Sequence, residues 1–175
     1  MKTPAIAPVV LAALVAAGGC GDSDLALSRH DFVREANAIC GEANEQVRAL
    51  GPEPPILTDE QADWIEQLTK IDRTATERLD ALQPPDAGKH PIASMLSAFE
   101  GGLGKGDEIA RASRAGDDAA FRSSVDAALD SLAQAQASAA AYGLSECARL
   151  GPSRPIGRKT SGYGHFADPL THTRR

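Results

Sequence analysis

Aromatic residues are scarce in this 175-residue chain, at 4% of its composition, and cysteine occurs three times. None of the cysteines forms Cys-x-x-Cys or Cys-x-x-Cys-His, which removes a local redox motif and c-type haem attachment. No apolar run reaches the roughly 20 residues of a membrane-crossing helix. Basic charge is also short: residues 21–150 carry 12 Lys plus Arg against 23 Asp plus Glu, a net of −11. Phosphate backbones require a basic surface, so this acidic body argues against a nucleic-acid partner.

Motifs of chemistry are missing in the same way. Gly101, Gly102, Gly104 and Gly106 suggest a phosphate loop, but Gly-x-x-x-x-Gly-Lys-Ser/Thr would need glycine where Phe99 stands and a hydroxyl where Gly106 stands. His30, His90, His165 and His172 form no i, i+4 pair, and Glu-x-x-His is absent, which leaves no helical zinc or di-iron site. No Gly-x-Ser-x-Gly elbow marks a nucleophile. The carboxylate clusters Asp22 with Asp24, Asp59 with Glu60 and Asp117 with Asp118 fall at helix starts or linkers, where they complement the helix dipole. No catalytic, cofactor-binding or metal-ligating residue is therefore assigned, and the chain is not read as an enzyme.

What is present begins at the N-terminus. Lys2 precedes an apolar stretch over residues 5–17, too short to span a bilayer and interrupted by Pro8, and residues 16–20 then read Ala-Ala-Gly-Gly-Cys. Residues 17–20 resemble the bacterial lipobox, with Ala17 where leucine is usual. That resemblance implies removal of residues 1–19, a diacylglyceryl group on the Cys20 thiol, and a protein held by lipid on the outer face of the cell membrane. Ordinary secretion, with Cys20 free or disulfide-bonded, is the plainer alternative. With Cys20 lipidated, the two remaining cysteines, Cys40 and Cys147, make an even pair that an exported chain can oxidise. Bridging them would restrict the unfolded chain by roughly 4.7 kcal/mol.

Periodicity divides the body into four helices. Ser28 caps a first stripe of Phe32, Ala36, Ile39, Ala43, Val47 and Leu50, which residues 51–55 end. Thr58 and Gln61 have capping-box spacing ahead of Trp64, Leu68, Ile71, Ala75, Leu79 and Leu82, with Pro84 and Pro85 as the stop. Pro91 opens a third stripe of Ile92, Met95, Leu96, Phe99 and Leu103, and the four glycines at 101–106 predict a break or kink before residue 115. Asp117 then caps Phe121, Val125, Ala128, Leu132, Ala135, Ala139 and Tyr142, and Gly143 terminates them. Short connections and no strand alternation predict an all-α antiparallel four-helix bundle over residues 29–150. In that topology the segment after Tyr142 folds back toward Cys40. The five aromatics of the body, Phe32, Trp64, Phe99, Phe121 and Tyr142, are spread over all four helices as core anchors.

Phe32, Ala38-Ile39-Cys40, Pro84-Pro85, Ala115-Gly116-Asp117 and residues 142–147 together resemble small exported helical lipoproteins of high-GC Gram-positive bacteria. The resemblance covers roughly residues 30–150 and implies the bundle and the bridge, with no catalytic residue. Outside it, residues 20–28 read as a lipidated tether of about 26 Å reach, and residues 151–175 as a disordered tail. That tail carries Arg154, Arg158, Lys159, Arg174 and Arg175, placed to meet an anionic envelope surface. The function expected is a membrane-anchored binding or scaffolding module for a protein partner. The alternative is a small-ligand carrier or enzyme with a pocket between the helices, opened by the break at 101–106.

Overall fold

Ser28 starts the first helix as expected, because its hydroxyl accepts from the Asp31 N–H at 3.1 Å and so satisfies one of the donors a helix start leaves open. The computed structural model describes residues 27–152 and residue 156. Cys20, the export segment, most of the tether, His165, His172 and the five basic tail residues lie outside the described residues. Four helices follow in order: α1 (Arg29–Ala49), α2 (Asp59–Asp80), α3 (Lys89–Ala115) and α4 (Asp118–Tyr142). They pack as an all-α antiparallel bundle, with no strand among the described residues. None of these helices is long and apolar enough to cross a membrane.

Capping at α2 departs from the simple box. Thr58 accepts from the Gln61 N–H, but the Gln61 side chain reaches past it and accepts from the Leu57 N–H at 2.7 Å. Gln61 is wholly buried, and its carboxamide also donates to Glu53 and accepts from Ser113 Oγ on α3. That network holds Leu57 at φ +62°, a conformation costing a residue with a Cβ about 1–2 kcal/mol.

The break predicted within residues 101–106 does not occur, and α3 runs unbroken for 27 residues. Tertiary packing overrides the weak propensity of the glycines, because small residues let the neighbouring helices approach. At Gly106 a Cβ would lie 2.2 Å from Thr69 Oγ1 and 2.9 Å from its Cγ2 on α2. The stop after α3 is as read: Gly116 adopts φ +65° and Asp117 caps α4 through the Ala120 N–H.

After Gly143, at φ +98°, the chain turns back as a hook. Leu144, Cys147 and Leu150 are buried, and Cys147 is bonded to Cys40 of α1 across a separation of 107 residues. Two asparagines of α1 clamp the same point: Asn37 accepts from the Glu146 N–H at 2.9 Å, and Asn44 donates to the Glu146 carbonyl at 3.0 Å. Gln136 of α4 donates to the Leu150 carbonyl. Gly151 is buried and Ile156 packs on the body, so these two residues, read from sequence as tail, belong with the bundle.

The interior has two apolar clusters stacked along the bundle. One gathers Phe32, Leu79, Met95, Phe99 and the hook near the chain ends, and the other gathers Trp64, Ile65, Ile109 and Phe121 at the opposite end. Replacing Cys40 and Cys147 together by alanine is expected to lower unfolding free energy by roughly 3–5 kcal/mol. Denaturant unfolding followed by far-UV circular dichroism measures this, with native helix content unchanged before the transition.

Candidate functional site

Between the two clusters α2 carries a second stripe, Ile65, Thr69, Asp72 and Thr76, at steps of four, three and four. It lies one position around from the stripe of Leu68, Ile71, Ala75 and Leu79. Both stripes are inward, but this one contains two hydroxyls and a carboxyl. Opposite it, α3 presents Phe99, Gly102, Leu103, Gly106 and Ile109, and α4 presents Val125, Ala128, Leu129 and Leu132. Where Gly102 and Gly106 offer no side chain, the helices leave a cleft of about 70 Å³, walled on one side by Pro152 and Ile156 from beyond the hook.

Among the described residues Asp72 is the single ionisable one lining this cleft. The residue as a whole is partly exposed, yet its Oδ1 is fully enclosed and has no hydrogen-bond partner. Thr76 cannot supply one, since its hydroxyl donates to the Asp72 backbone carbonyl at 2.9 Å. Thr69 Oγ1 is directed against Gly106. Removal from water disfavours the charged form, and burial pushes the Asp72 carboxyl from 3.8 up to about 7. Arg73, next in sequence, points elsewhere and pairs with Asp107 of α3 at 3.4 Å.

Outside the cleft, sharing Thr76 and Leu103 with it, lies a wider groove of about 280 Å³ lined by Arg73, Glu77, Asp80, Glu100 and Gly104. Three carboxylates against one already paired guanidinium make this groove acidic.

The remaining sequence candidates are placed elsewhere. Cys40 and Cys147 form a buried bridge remote from solvent, and His30 and His90 are exposed. Asp59 and Glu60 occupy the first turn of α2, Asp117 caps α4, and Asp118 pairs with Arg122 at 2.9 Å. Among the described residues no three His, Cys, Asp or Glu side chains gather as metal ligands. Of the five aromatics, four are buried in the core and Tyr142 packs edge-on to Phe32, while Phe99 alone lines the cleft. The apolar pattern alone does not single out Asp72; its three-and-four spacing from Ile65, Thr69 and Thr76 is the signal the sequence offers.

Exposed carboxylates behave in the opposite sense to Asp72. Hydrogen bonds from Ser28 and Arg34 hold Asp31 below the usual range, and Arg114, Lys89 and Lys105 do the same for Glu66, Asp86 and Glu108. Their contribution is present at neutral pH and is lost on acidification. For Asp72 the folded value is the higher one, so its protonated form favours folding fully below about pH 4, and that contribution is lost as pH rises through about 7. Asp72→Asn is therefore expected to stabilise the protein at pH 8, by up to about 4 kcal/mol, and to flatten the dependence of melting temperature on pH between 5 and 8. Thermal unfolding of both proteins across that range measures it. No family model matches this chain, and no curated protein or solved structure matches it either.

Proposed function

We propose that the protein is an extracytoplasmic lipoprotein, anchored to the cell membrane through Cys20, whose helical body is a non-enzymatic binding module. The binding site is the cleft between α2, α3 and α4, and its occupant is small and largely apolar. The observation that carries this reading is the cleft itself, whose largely apolar walls include Asp72, a carboxyl with one oxygen lacking a protein partner. Ligand sites combine apolar walls with a few convergent polar groups in this way. Acid–base catalysis calls for mutually positioned groups, whereas among the described residues Asp72 is the lone ionisable side chain of the lining. Support for the address comes from the Ala-Ala-Gly-Gly-Cys sequence at 16–20 and from the bridge of Cys40 to Cys147, a bond suited to an oxidising compartment. The basic residues of the tail would add attraction to an anionic envelope surface.

Two measurements test the two halves separately. Expressed in a lipoprotein-processing bacterium, the chain is expected in the membrane fraction with a diacylglyceryl mass on Cys20, and Cys20→Ala is expected in the aqueous fraction. An unmodified sulfur at that position in the wild type overturns the anchor. For the cleft, titration with 1-butanol is expected to shift the methyl resonances of Leu103, Leu129 and Leu132. Ala128→Leu, which fills the space, should abolish those shifts without lowering the melting temperature. Equal shifts in the filled variant would place the probe elsewhere.

A further inference from the structure

We infer that the ligand of this cleft is a small organic amine bound as its cation, its alkyl part between α3 and α4 and its ammonium at Asp72. This rests on the binding reading above and adds the ligand's chemical class. Asp72 lines the cleft with a carboxyl that has no protein partner at Oδ1, an arrangement costly to bury, and a cation seated against that carboxyl offsets the cost. Among the described residues no cationic side chain lines the cleft to do so from within. An ammonium has three donors and a compact charge, and the carboxyl ionises when a cation reaches it.

The neighbouring groove has the same preference. Glu77, Asp80 and Glu100 line the groove that shares Thr76 and Leu103 with the cleft, and Arg73 there is held by Asp107. An anionic ligand would meet repulsion at the groove and a desolvated carboxyl inside. A neutral apolar molecule would fill the walls but bring the Asp72 carboxyl no counter-charge. Size limits the choice to a short aliphatic or single-ring amine, since the enclosed space is about 70 Å³.

The test uses the mature chain carrying Cys20→Ser, titrated at pH 8 with n-butylamine and with 1-butanol, which differ only in the ammonium against the hydroxyl. Methyl resonances lining the cleft report occupancy. The amine is expected to bind at least about tenfold more tightly than the alcohol. In Asp72→Asn the two affinities should become equal, and Glu77→Gln with Glu100→Gln should weaken the amine alone. Binding of both ligands with equal affinity in the wild type overturns the amine assignment and leaves the cleft as an apolar site. Binding of neither overturns the cleft as a site. A lysine with blocked ends is the third ligand: affinity above that of butylamine would assign the cleft to a lysine side chain of a polypeptide and overturn the free amine.

Discussion

An unpaired carboxyl held among methyl and methylene groups is the constraint around which the middle of this bundle is arranged. Asp72 falls on an inward stripe of α2, so the helix cannot turn it to solvent without also withdrawing Ile65, Thr69 and Thr76. Its Oδ1 remains enclosed and unbonded, and the acid is shifted toward its neutral form. In the binding role proposed above, the ligand would be the missing partner. The two apolar clusters are consequently separated by a seam with a polar wall on α2 and a glycine-bearing wall on α3.

The rest of the molecule holds that seam in place. The bond between Cys40 and Cys147 ties the chain after α4 to the middle of α1, and the Asn37 and Asn44 hydrogen bonds fix the orientation of the hook. From there Gln136 holds the Leu150 carbonyl, and the chain continues along α4 until Pro152 meets the cleft. Exposed ion pairs, such as Arg114 of α3 with Asp63 and Glu66 of α2, align neighbouring helices, and each contributes little because solvent screens it. At the far end Gln61 plays the part of a buried polar bolt joining the α1 to α2 loop, α2 and α3.

Much of this was legible from local chemistry. Ser28, Thr58 and Asp117 cap the helices their spacing announces, and Gly116 and Gly143 end helices in the left-handed conformation that glycine adopts without strain. Apolar residues at three-and-four spacing are buried in every helix. The glycine run in α3 was misleading, since its propensity against helix was visible and its packing against Thr69 was not. Gln61 and Asp72 were obscured for a related reason. A polar letter in a helical stripe reads as the edge of the buried face until the facing helix is known.

Sequence alone determined the number of helices, their ends and the acidity of the body, because each depends on neighbours within a turn or on simple counting. Tertiary structure alone decided that α3 stays whole, that Gly151 and Ile156 join the body, and that Thr69, Asp72 and Thr76 face a space instead of water. These outcomes depend on the distance between helices far apart in the chain. That distance is set by how side chains of different helices interlock, which no pattern within a single segment records.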